Sequence, residues 1–194
     1  MLSVAMTEDD FVTSALRNPV NAELMDVLRA TALPDAWVVA GCLTQTVWNI
    51  QTGRPVDHGI NDYDIFYFDP DTSWDAEDAV IRRIASCLDA VDAKVEVRNQ
   101  ARVHLWYPTK HGRPYPAATR STDGIDRFLT VNTQVGLRPV GDGHEIYAPK
   151  GLGDIAQMIV RPNYTANFSA VNYAAKVARW KALWPEITVI APEQ

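Results

Sequence analysis

The segment Gly59-Ile60-Asn61-Asp62-Tyr63-Asp64-Ile65-Phe66-Tyr67-Phe68-Asp69 constrains the chain most, because a run of strand-favouring aromatics opens with two aspartates two residues apart. In an extended chain, side chains at i and i+2 share one face and lie about 6–7 Å apart. Asp62 and Asp64 therefore point the same way. At an effective dielectric near 20 their charges repel by about 2–3 kcal/mol, a large share of a net stability of about 5–15 kcal/mol. A compensating charge is required, and a divalent cation is the simplest.

Hydrophobic periodicity places this strand among helices and further strands. Helical spacing predicts helices over 7–17, 21–32, 43–51, 74–88 and 166–184, with another starting in 151–160. Thr7 and the Ser121-Thr122-Asp123 run read as helix caps, the second opening a segment that buries Ile125, Phe128 and Leu129. The apolar run 36–40 reads as a short buried turn of chain or strand; alternation predicts strands at 93–98 and 102–107, joined as a hairpin, and a second hairpin spans 135–148 and turns at Gly141-Asp142-Gly143. Residues 107–121, with Pro108, Pro114 and Pro116, read as a long surface loop of the kind that forms lids or binding loops.

This order predicts an α/β (α+β) fold, a mixed central sheet flanked by helices. Without an internal repeat, low-complexity segment or composition break, residues 1–194 read as a single domain, with a core at about 36–163 and a C-terminal helix at about 166–184.

Composition narrows the function. The chain is 47% hydrophobic and 22% charged, and no apolar run reaches the length of a membrane span. Residues 1–10 carry acids and no cationic-then-apolar export signal, so a cytoplasmic location is expected. A net charge of -6 argues against a broad nucleic-acid-binding surface. A local basic cluster of Arg98, Arg102, His104, Lys110, His111 and Arg113 still allows a small anionic substrate. Cys42 and Cys87 each lie in an apolar segment and are expected to be reduced and buried. The histidines lack zinc-ligand spacing.

Two further positions belong with the aspartates. Gly41 precedes a predicted helix, where glycine permits close backbone approach and free amides attract anions; a tight entry turn is the plainer alternative. Glu96 lies on the polar face of its strand with Lys94 and Arg98. If that strand neighbours the acidic one, Glu96 meets Asp62 and Asp64; otherwise it serves as a partner for Lys94, Arg98 or Arg102. Three carboxylates on strands behind a glycine-led helix suit two Mg²⁺ ions about 3.5–4 Å apart, one activating a hydroxyl and one neutralising a leaving phosphate.

In order, Gly41-Cys42, Asp62-Tyr63-Asp64 and Val95-Glu96-Val97 resemble the signature of the DNA polymerase β-like nucleotidyltransferase superfamily. The stretches Val97-Arg98-Asn99-Gln100-Ala101-Arg102-Val103-His104-Leu105-Trp106-Tyr107, Ser121-Thr122-Asp123-Gly124-Ile125-Asp126-Arg127 and Ile146-Tyr147-Ala148-Pro149 resemble a bacterial nucleotidyltransferase-like family within it. The likeness spans roughly 36–163.

The resemblance implies a nucleotidyltransferase-like core with C-terminal helices. It also implies transfer of a nucleoside monophosphate from a nucleoside triphosphate to an unidentified hydroxyl-bearing acceptor, small or macromolecular, with release of pyrophosphate. Asp62 and Asp64 would hold Mg²⁺, with Mn²⁺ as a substitute, and Glu96 would stand as the third carboxylate beside the attacking hydroxyl. Gly41, with Cys42 beside it, would approach the triphosphate; Thr44 or Thr46 could contact phosphate in place of the missing hydroxyl, and Arg98 and Arg102 read either as phosphate-binding or as structural charges. Two departures are evident: Cys42 stands where the superfamily usually has Gly or Ser, and the interval from Gly41 to Asp62 is long. A catalytically silent nucleotide-binding or regulatory protein on the same fold is the alternative, and a metal-dependent phosphodiesterase or nuclease a further one.

Overall fold

The aromatic run after Asp62 becomes β2 (Tyr63–Tyr67), second from one edge of a five-stranded mixed sheet. The computed structural model describes residues 6–88 and 92–193. Part of the segment on which the expectation about export rests, residues 1–5, lies outside the described residues. Across the sheet the order is β3 (Val95–Asn99), β2, β1 (Trp37–Val39), β4 (Gly136–Val140) and β5 (Gly143–Tyr147). β2 and β3 are parallel and the other neighbours antiparallel. The fold is thus the mixed α/β arrangement that the alternation of elements predicts.

Strand alternation separates the two faces of this sheet. Tyr63, Ile65 and Tyr67 of β2 join Val38, Val97 and Leu137 in the main core. Helices cover that face: α1 (Glu8–Ala15), α2 (Pro19–Thr31), α3 (Gly41–Gln51) and α4 (Trp74–Ser86) contribute Phe11, Leu24, Leu43 and Ile84. Each helix start has a local cause. Thr7 and Asp10 form a capping box, Asn18 caps α2 ahead of Pro19, and the Ser73 hydroxyl accepts from the Ala76 amide. The opposite face carries Trp37, Val39 and Phe66, partly roofed by Ile125 and Phe128. Its uncovered part holds the site.

A second core fastens the longest helix, α8 (Ala170–Leu183), to α3. Trp48 lies edge-on to Trp180 and Trp184, with ring centroids 5.4 and 5.7 Å apart. Two of the three indoles have a hydrogen-bond partner: Trp48 Nε1 donates to the Ile155 carbonyl at 3.0 Å and Trp184 Nε1 to Asn49 Oδ1 at 2.8 Å. Gly59, at φ 70° with the Trp184 ring where a Cβ would fall, is a position only glycine fills.

Four expectations are corrected. Residues 102–107 are not a strand, and the hairpin with β3 does not form: the chain enters α5 (Val103–His111), so only 112–121 of the expected loop are irregular. Asn99 makes this turn. Its Oδ1 accepts from the Ala101 and Asp69 amides, and the Arg102 amide donates to the Asn99 carbonyl. The alternation of Val103 and Leu105 never becomes one buried face, since Val103 is buried and Leu105 is 55% exposed.

The helix expected in 151–160 stops after one turn, α7 (Gly153–Ala156). Met158 takes the left-handed φ of 53° and redirects the chain into β6 (Ile159–Val160), which pairs in parallel with β7 (Thr188–Val189) from the tail. The short helix α6 (Thr122–Ile125) forms without a side-chain cap from Ser121. Cys42 is buried as expected, but Cys87, just past the end of α4, is exposed.

The tryptophan cluster sets a testable energy scale. Trp184→Ala should cost about 3–5 kcal/mol in urea unfolding, whereas Trp184→Phe, which keeps an aromatic ring but leaves Asn49 Oδ1 without its donor, should cost about 1–3 kcal/mol.

Candidate active site

Parallel pairing of β2 with β3 sets Asp64 opposite Glu96 and Phe66 opposite Arg98. All four project from the open face into one cleft of about 290 Å³. Asp62 lies just before β2, half-buried. The conditional placement of Glu96 beside the acidic strand is thereby realised by register.

The carboxylates have unequal surroundings. Both Glu96 oxygens are engaged, one by Lys94 Nζ and one by Arg98 Nη2 at 3.1 Å. The Lys94 hydrogen bond, with help from the Arg98 charge, holds the Glu96 carboxyl below its usual range. Lys94 Nζ also comes within 3.8 Å of Asp62 Oδ2, so one ammonium spans both acids. Asp64 has no hydrogen-bonding or ion-pair partner among the described residues. Burial first, then the charges of Asp62 and Glu96, push its carboxyl up to about 7.

Across the cleft stands Lys176, on the same stripe of α8 as Tyr173 and Trp180, which enter the second core. Its ammonium lies 4.7 Å from the Trp180 ring centroid. Burial pushes its pKa down to about 8, against the pull of Asp64. In the sequence, Lys176 and Arg179 share one side of the last helix and read as its wet face. Its i, i+4 spacing from Asn172, which also lines the cleft, is the signal that could have identified it. Aromatic side chains form the remaining walls. Phe66 stacks on Phe128 at 5.3 Å, Tyr107 meets Tyr115 at 4.6 Å, and the Arg127 guanidinium lies 4.7 Å over Tyr115.

The glycine-led helix start is present but differently furnished. Ala40 sits at φ 64°, ψ −126°, a strained conformation for a residue with a Cβ, tied by its amide to the Val135 carbonyl at 2.9 Å. α3 begins at Gly41, and its first i to i−4 bond comes from the Thr44 amide, leaving the earlier amides for an anion. A Cβ on Gly41 would fall 2.6 Å from Gln45 Nε2. Cys42 is turned inward, its thiol donating to the Val39 carbonyl and raised by burial. Thr44 Oγ1 donates to the Asn132 carbonyl and Thr46 Oγ1 to the Cys42 carbonyl, so neither hydroxyl reaches the cleft. Of the two arginines singled out, Arg98 lines the cleft. Arg102 does not, because it ion-pairs with buried Glu77 and donates to the Thr72 carbonyl.

Among the described residues no three His, Cys, Asp or Glu side chains converge closely enough to form a metal cage. Glu96 is drawn aside by Lys94 and Arg98. Asp62 and Asp64 nevertheless fit a hard cation: their oxygens are the right donors, Asp64 is unpartnered, and Lys94 already supplies positive charge between Asp62 and Glu96. Among the described residues no helix is long and apolar enough to cross a membrane.

A family model described as nucleotidyltransferase matches residues 26–189. A solved NMR structure described as revealing "a CCA-adding enzyme head domain" superposes with a TM-score of 0.76. It is 22% identical, and the match covers 99% of this chain and 100% of that one, a likeness of fold. Comparison with curated proteins finds no match.

Asp64 generates a pH prediction. Its folded pKa lies above its ordinary value, so the stability it contributes is full below about pH 4 and is lost as pH rises through about 7. In chelator, Asp64→Asn should therefore melt several degrees above wild type at pH 8, and the two should converge near pH 4–5 in thermal scans.

Proposed function

The chain belongs to the nucleotidyltransferase family, and on that premise we propose that it moves a nucleoside monophosphate from a nucleoside triphosphate to a hydroxyl-bearing acceptor. The observation that carries this reading is Asp64 abreast of Glu96, two residues past Asp62 and across one cleft from Lys176. The acceptor oxygen bonds to the α-phosphorus while the bond from that phosphorus to the bridging oxygen breaks. Pyrophosphate leaves with the bridging oxygen, and the acceptor proton passes to a base.

Each side chain has a task set by its surroundings. Asp62 and Asp64 would hold Mg²⁺, or Mn²⁺ in its place; the bound ion supplies charge neutralisation at phosphate oxygens and acidifies a bound hydroxyl. Glu96, kept ionised by Lys94 and Arg98, is a weak base and a good hydrogen-bond acceptor, so it orients the acceptor hydroxyl. Lys176 and the first amides of α3 bring positive potential to the triphosphate. The aromatic walls limit water around the reacting phosphate.

A second reading has its own support. Lys94 already neutralises Asp62 and Glu96, and Cys42 offers no hydroxyl, which suits a nucleotide-binding protein that does not turn over. Triphosphate binding without pyrophosphate release across a panel of acceptors would favour it. Cleavage of an oligonucleotide without triphosphate would instead indicate a phosphodiesterase or nuclease.

In a pyrophosphate-release assay with Mg²⁺, Asp62→Asn and Asp64→Asn should each lower the rate by at least about 10²-fold; undiminished transfer in both would overturn the assignment. Lys94→Met should lower the Mg²⁺ concentration for half-maximal rate, because the ammonium that competes for Asp62 is gone.

A further inference from the structure

A second groove of about 640 Å³ opens between the start of α4 and one side of α5. Trp74, Leu105 and Trp106 form its apolar lining, and Arg98, Arg102 and Lys110 its cationic one. Arg98 and Trp106 also line the catalytic cleft, so the two spaces meet there. The junction lies at β3, the edge strand that carries Glu96. That is the side on which a hydroxyl would approach.

The lining is unusual for a solvent-facing surface. Trp74 is 65% exposed and Leu105 55%, large apolar side chains that folding leaves in water. A cation lies over each indole: the Arg102 guanidinium 5.2 Å from the Trp74 ring, and Lys110 Nζ 5.4 Å from the Trp106 ring. Arg102 is already answered by Glu77 and Arg98 by Glu96, while Lys110 has no ion-pair partner among the described residues. The groove therefore combines flat aromatic surfaces with an uncompensated positive charge.

We propose that this groove is the acceptor site and that the acceptor is a mononucleotide-sized molecule. Its base stacks on Trp74 and Trp106, its phosphate lies against Lys110 and the outer edge of Arg102, and its ribose hydroxyl passes Arg98 toward Glu96. Planar bases stack on indole regardless of sequence, and a phosphate matches the local charge. A volume of this order suits a small ligand. Three lining cations on a chain of net charge -6 do not suit a long polyanion, whose binding rests on many phosphate contacts. The assignment deepens the transfer reading and rests on it only for the word acceptor; the binding of a nucleotide stands by itself.

Tryptophan emission of the full chain in chelator provides the test, with the four ribonucleoside 5′-monophosphates, ribose 5-phosphate, inorganic phosphate and a ten-nucleotide single strand as probes. At least one monophosphate should quench emission and bind at least tenfold tighter than ribose 5-phosphate. Trp74→Ala and Lys110→Ala should each weaken it by tenfold or more. Trp74 is exposed and outside the catalytic cleft, so its replacement should leave Mg²⁺-triphosphate binding by calorimetry within twofold. No preference over ribose 5-phosphate, unchanged affinity in Trp74→Ala, or a strand bound more than tenfold tighter than every monophosphate would overturn the proposal. Monophosphate binding without any pyrophosphate release would leave the groove occupied as described and sink the transfer reading instead.

Discussion

Asp64 and Glu96 stand side by side because β2 and β3 run parallel in register, and the rest of the site is arranged around the charge this creates. Parallel strands require a crossover, and α4 provides it. The same helix holds the far end of β3 in place: buried Glu77 accepts from the Asn99 amide at 2.9 Å and pairs with Arg102. A one-residue slip would turn Glu96 into the core and Val97 outward. The cost of adjacent carboxylates is distributed unevenly. Glu96 is neutralised by Lys94 and Arg98, while Asp64 retains a raised pKa and has no side-chain partner among the described residues. A site that leaves one acid uncompensated is less stable alone and better prepared for a cation.

The second core acts on the same charge from the other side. Trp48, Trp180 and Trp184 lock α8 against α3, and one turn before Trp180 the helix delivers Lys176 into the cleft. The lysine is thereby half-buried, its proton weakened by desolvation and retained by Asp64. Packing far from the carboxylates thus decides the electrostatic potential around them. The β6 and β7 pair completes this core, with the single Tyr173 Oη proton within reach of two backbone carbonyls, Ile190 at 2.7 Å and Val160 at 3.1 Å.

α5 shows how a local choice of backbone creates a surface. As a strand, residues 102–107 would have extended the sheet past β3 and covered its edge. Asn99 instead turns the chain, and the helix lays Leu105, Trp106 and Lys110 opposite Trp74. The basic cluster then divides: Arg98 faces both spaces, Arg102 is spent on Glu77, and Lys110 stays available.

By itself the sequence determined the elements whose period is strong and whose ends are marked. The capped helices, the strand of alternating Tyr63, Ile65 and Tyr67, and the hairpin turning at Gly141-Asp142-Gly143 follow from side-chain spacing and turn chemistry, which are local. The shared face of Asp62 and Asp64 follows from the same rule. Tertiary structure alone decided what depends on neighbours: that Glu96 meets Asp64, that Thr44 and Cys42 turn inward, that Lys176 is a cleft residue, and that 102–107 coil into a helix. Alternation says which residues share a face. Which partner strand, hydrogen bond or buried ring that face will meet is settled only when distant segments pack, and there the chemistry of this site is set.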